Sequence, residues 1–109
     1  ATELFLDGIS SRLTLPSNHT MVFEIVIAAR RDAYNQSAGY YFRGVIKNDG
    51  GKTSFVQSPD TVTLGEDTPV WNVTLNASNT YDALVIQVSG EENATIRWVA
   101  TVRAVEVAW

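Results

Sequence analysis

Alternation with a period of two runs through the chain. In residues 94–109, ATIRWVATVRAVEVAW, one set of alternate positions is Ile96, Trp98, Ala100, Val102 and Ala104. Residues 20–32 repeat the pattern with Met21, Phe23, Ile25, Ile27 and Ala29. Such spacing puts apolar side chains on one face of a strand. No useful length of chain shows the 3.6-residue period of a helix. Further strands are predicted over Glu3–Leu6, Ser11–Leu15, Gly39–Lys47, Lys52–Gln57, Thr61–Leu64, Val70–Leu75 and Ala83–Val88, each bounded by Gly, Asn, Asp, Ser or Pro. Asn48-Asp49-Gly50-Gly51 is a strong hairpin signal, because these residues accept positive φ at low cost. Asp7-Gly8, the polar run Asn76–Asp82 and Ser89–Asn93 read as turns. Eight or nine such strands suit an all-β, antiparallel two-sheet β-sandwich with jelly-roll-like connections.

The second faces of the two longest strands need an explanation. One offers Val22, Glu24, Val26 and Arg30; the other offers Arg97, Val99, Arg103 and Val105. A face in water should be mostly polar. Isolated exposed valines are ordinary, but both strands carry the same mixture of valines and charges. The reading favoured is a subunit interface, with charges pairing across chains. Val45 and Val85, off-core by the same alternation, lean the same way.

Composition narrows the function. A chain of 109 residues with a globular composition fits one domain, residues 1–109, with no linker or repeat. Its start lacks a signal-peptide pattern and reads as a fragment cut from a longer chain. Net charge is −4, which argues against nucleic acid or an anionic membrane as the main partner. No apolar run is long enough to span a bilayer as a helix. With no cysteine, disulfides, thiol nucleophiles and zinc–thiolate sites are excluded.

Four stretches carry a resemblance: TELFLDGISSRLTLP, FEIVIAARR, SAGYYFRGVI and ALVIQVSGEENATIRWVATVRAVEV. In this order they resemble a β-rich domain near the C-termini of bacteriophage and prophage tail proteins, including tail fibres and tailspike-like proteins. The resemblance implies a virion-tail or extracellular appendage domain, commonly a homotrimer, near a host-binding tip that often takes polysaccharide. It transfers no binding residue, because the shared positions look like core and turns.

Catalysis has little support. The single histidine, His19, lies in a polar loop with no nucleophile-elbow pattern. The carboxylates Asp32, Glu66, Asp67, Asp82, Glu91 and Glu92 sit in or near turns, and neither Gly65–Thr68 nor Gly90–Asn93 matches a calcium loop. No catalytic residue, metal or cofactor is therefore expected. Asn-X-Ser/Thr sequons occur at Asn18, Asn35, Asn72, Asn76 and Asn93, which a chain rich in these residues generates by chance.

Glycan binding wants an aromatic face beside planar polar groups. Trp71, Trp98, Tyr40 and Phe42 read as core, and Trp109 is terminal. The candidates left are Tyr34 with Asn35, Tyr41 with Arg43, and Tyr81 with Asp82. The expectation is a non-catalytic carbohydrate-binding, receptor-binding domain acting as a homo-oligomer, a trimer by the resemblance. The rivals are a purely structural trimerisation or capping domain and a glycoside hydrolase fragment.

Overall fold

The computed structural model describes residues 2–4, 12–32, 35–91 and 94–109. Nine strands follow in order: β1 Thr2–Leu4, β2 Leu13–Thr14, β3 His19–Arg31, β4 Ser37–Asp49, β5 Lys52–Phe55, β6 Asp60–Glu66, β7 Asn72–Ser78, β8 Ala83–Ser89 and β9 Ile96–Ala108. They form two antiparallel sheets packed face to face, an all-β sandwich. In the smaller sheet β8 is central. β7 pairs along its whole length, so β1 and β2 share its other edge, end to end. In the larger sheet β3 lies between β4 and β9, and β5 and β6 share the far edge of β4.

The predicted alternation sets the core. Met21, Phe23, Ile25, Ile27 and Ala29 of β3 point inward with Tyr40, Phe42 and Ile46 of β4, and meet Val73, Leu84, Ile86 and Val88 from the smaller sheet. Trp71, just ahead of β7, is fully buried and packs 6.1 Å from the ring of Trp98. Gly44 leaves room for Phe23 and Pro59, because a Cβ there would lie 3.0 Å from the Phe23 ring and 3.1 Å from Pro59.

Several sequence expectations need correction. Residues 76–78 continue β7 rather than turn, because Asn76, Ala77 and Ser78 pair with Val85, Leu84 and Ala83. β4 is longer than predicted at both ends, and β6 is a full strand. Val85 stays off the core cluster, as alternation expects, but it is buried and offers no exposed valine. Ala104 belongs by alternation to the apolar inner face of β9, yet it is exposed, as is every residue from Arg103 to Ala108. Its register neighbour Phe23 on β3 is fully buried, as is Met21 beside Glu106, so the cover reaches β3 at this end and stops short of the edge strand β9. The predicted Asp7-Gly8 turn lies outside the described residues.

The end carrying the β4–β5 hairpin is locked by side chains. Asn48, buried, donates through Nδ2 to the Leu15 carbonyl at 2.8 Å and accepts the Gly51 N–H at 2.8 Å. Thr53 donates its backbone N–H to Asn79 at 3.0 Å and its hydroxyl to Asp82 at 2.8 Å. These bonds tie the two sheets together at that end.

Candidate functional site

The outer face of the larger sheet is the distinctive surface. Antiparallel register places directly paired residues on the same face. Asp60 of β6 therefore stands beside Arg43 of β4, Arg43 beside Glu24 of β3, and Glu24 beside Arg103 of β9. This row alternates in sign from one sheet edge to the other. Arg43 Nε donates to Asp60 Oδ2 at 2.8 Å, and Arg103 Nη1 lies 3.6 Å from Glu24 Oε1. The Tyr41 hydroxyl donates to the other Glu24 oxygen at 2.7 Å. Arg43 and Asp60 are well exposed, so their pairing contributes little to stability and mainly fixes geometry.

Apolar rows flank the charges. On one side Val45, Val22 and Val105 line up across three strands. On the other side run Val62, Tyr41, Val26 and Thr101, then Gly39, Ala28 and Val99. Val22 is 53% exposed, Val26 47%, Val99 67% and Val105 75%. Alternation alone thus identified the outward valines, and nothing in the described residues covers them.

A shallow cleft of about 280 Å³ opens on this face where β5 leads into β6. Val22, Val45 and Val56 give it apolar walls, and Arg43, Gln57, Ser58 and Asp60 give it polar ones. Gln57, Ser58 and Asp60 did not stand out in the sequence. They belong to a connection whose neighbours are fixed only by the pairing of β4 with β6. A second cleft of about 270 Å³ lies between β3 and β9, lined by Val22, Glu24, Arg103 and Val105 among others.

The five glycan candidates among the described residues do not converge. Tyr41 and Arg43 stand mid-sheet on the face just described. Asn35 sits at the β3–β4 turn with φ 49°, and its Oδ1 accepts from Arg30 Nη2 at 3.3 Å. Arg30, an interface candidate, also donates to Ser37 at 3.1 Å and so braces that turn. Tyr81 and Asp82 belong to the β7–β8 turn. The Tyr81 ring is covered by the Arg12 guanidinium at 3.7 Å, and Asp82, at φ 49°, accepts the Thr53 hydroxyl and, through its carbonyl, the Leu15 N–H at 2.7 Å. Asn35 and Asp82 therefore act as turn formers in this fold. Tyr34 lies outside the described residues. Arg97 is exposed on β9, in register with Arg30.

His19 does not stand alone. Its Nδ1 meets the Glu106 carboxylate across the β3–β9 pair. Among the described residues no group of three or more His, Cys, Asp or Glu side chains could hold a metal ion. No helix of the described residues is long and apolar enough to cross a membrane.

Two tyrosines resist ionisation. Tyr40 is raised well above the ordinary phenol value by burial, and further by its 2.5 Å hydrogen bond to Glu66. Tyr41 is raised first by its hydrogen bond to Glu24. The consequence for stability has a definite sign. Below pH ~10 both folded and unfolded Tyr40 keep their proton; above it the unfolded chain ionises first, so stability falls. Urea midpoints should be level between pH 7 and 9 and drop by pH 11. Tyr40→Phe should show a smaller drop; an equal drop would count against this cause.

No protein-family model matches the chain, and no curated protein matches it.

Proposed function

We propose that this domain is a non-catalytic carbohydrate-binding domain that works as a homo-oligomer in an appendage of the phage-tail kind. The observation that carries the reading is the outer face of the larger sheet. It presents the Tyr41 side chain, held by Glu24, beside the Arg43–Asp60 pair and the cleft rimmed by Gln57 and Ser58. Apolar surface takes the CH face of a sugar, and fixed planar donors and acceptors take its hydroxyls. The open sheet suits an extended chain rather than a single ring. Binding at one such shallow site is weak, and several copies on one polysaccharide raise it through effective concentration. The setting is a virion tail or the cell exterior.

The second reading is a purely structural assembly or capping domain. It is favoured by the separation of Tyr41 from Tyr81 and by the valine rows, which need a cover more than a ligand. A glycan array with isothermal titration separates the two. The binding reading expects specific saccharide hits that Tyr41→Ala weakens about tenfold, about 1.4 kcal/mol, with the far-ultraviolet spectrum unchanged. Tyr81→Ala, at a turn away from this face, should bind as the parent does. A blank array across bacterial and plant polysaccharides would leave the structural reading.

A further inference from the structure

The larger sheet has two open edges among the described residues, and they differ in a way that makes them fit each other. At one edge stands β9. Its last residue is followed by Trp109, whose N–H bonds the Asn18 carbonyl at 3.2 Å, toward β3. Backbone groups alternate in direction along a strand, so odd-numbered residues of β9 face β3. Even-numbered residues, Ala100 and Val102 among them, aim N–H and C=O outward with no described strand beside them. At the other edge stands β6. The Val56 N–H bonds the Val45 carbonyl at 2.9 Å, so odd-numbered residues of β4 face the side that β5 and β6 occupy. Arg43 and Tyr41 pair there with Asp60 and Val62, which turns the backbone groups of Thr61 and Thr63 outward.

A long unpaired edge invites another strand. The direction is already right. Counting across β6, β4, β3 and β9, each antiparallel to the next, β6 and β9 run in opposite senses. A second copy placed beside the first in the same orientation would set its β6 antiparallel to β9. One register matches the outward groups of both strands, Thr61 with Val102 and Thr63 with Ala100. In that register Asp60 faces Arg103, Val62 faces Thr101, and Leu64 faces Val99.

We infer that copies of this chain join head to tail, with the open edge of β9 in one copy pairing antiparallel with the open edge of β6 in the next. The charge row is the main reason. It starts with Asp60 at one edge and ends with Arg103 at the other, so each junction continues the alternation of signs. The nearest alternative registers, shifted by two residues, set Asp60 against Thr101 or Val105 and lose the charge match. The apolar rows also continue, because Leu64 and Val99, 63% and 67% exposed, become neighbours. Such an interface is heterologous and closes into a ring when the rotation between copies allows. The inference rests on the homo-oligomer part of the proposed function and is independent of any sugar.

The absence of cysteine makes the test clean. Within one chain Leu64 and Val99 stand three strand spacings apart, roughly 14 Å, too far for a disulfide, which needs Cα atoms within about 7 Å. Leu64→Cys with Val99→Cys in one chain should therefore give, on oxidation, a ladder of covalent oligomers on a non-reducing gel, and each single variant should stay monomeric there. A ladder from either single variant, or none from the double, would overturn the pairing. Light scattering on the unmodified chain should give a discrete particle of three or more copies; a monomer or a dimer would also overturn it. Asp60→Arg should reduce that particle to single chains, as should Thr61→Pro, which removes an outward N–H that no described strand takes up. Persistence of the assembly in both would refute the proposal. Sugar binding by the dissociated Thr61→Pro chain, whose substitution lies outside the cleft lining, read on the same array, keeps failure of assembly distinct from failure of ligand recognition.

Discussion

Trp71→Ala should lower the unfolding free energy by about 3–5 kcal/mol, one of the two largest losses expected here. The indole is 1% exposed and stands where the chain enters β7, between the two sheets. Its ring packs 6.1 Å from Trp98, which in turn lies 6.3 Å from Tyr40 in a near-parallel arrangement. Truncation therefore leaves a hole that three elements share. It also removes the Nε1–H donor that holds Glu91 at 3.0 Å, and Glu91 is the carboxylate that pairs with Arg31 at 3.3 Å. Trp71→Phe keeps most of the ring and loses the donor, so it should cost about 1–2 kcal/mol. Urea denaturation of the three proteins measures both steps. Equal losses in the two variants would mean that the hydrogen bond, not ring volume, dominates.

Asn48→Leu should cost about 2–4 kcal/mol even though the two side chains are close in size. The amide is 2% exposed and serves two backbone groups, the Leu15 carbonyl and the Gly51 N–H. Leucine fits the space and satisfies neither, and a buried group left without a partner costs more than a hydrogen bond gains. Asn48→Asp separates the two bonds. It keeps an acceptor for Gly51 and sets an anion against the Leu15 carbonyl, so it should lose most at neutral pH and recover in part as the carboxylate is protonated. Denaturation midpoints at pH 4 and pH 7 check this; a pH-independent loss would count against repulsion between the carboxylate and the Leu15 carbonyl.

How far the sequence reached follows from which interactions are local. Period-two alternation along β3, β4, β8 and β9 revealed their inward faces, because side-chain direction depends only on the strand itself. The hairpin at residues 48–51 was equally local, and Gly50 and Gly51 do adopt positive φ. What alternation could not supply was register. Tyr41, Glu24 and Arg103 become neighbours only when β4, β3 and β9 are aligned, and a shift of one residue would have sent them to the core. The same applies to Asp60, which gained its place from an irregular pairing with a bulge beside Gly39 and Tyr40. Asn35 and Asp82 were read as sugar ligands for their chemistry. The structure sets both at positive φ, a role that the same polar side chains fill well. Val85 shows a different limit: alternation places it off the core, where it is, but does not reveal that it is buried there.

The placement of β3 between β4 and β9 also bears on how the domain is made. Its partner on one side follows at once, through the β3–β4 turn. Its partner on the other side lies about 65–90 residues further along the chain, a separation that slows folding because a long loop must close first. A nascent chain thus carries β3, with its buried row from Met21 to Ala29, half-zipped until β9 leaves the ribosome. Through that interval a neighbouring polypeptide could take the vacant berth, and chaperone occupancy of the growing chain would be greatest there.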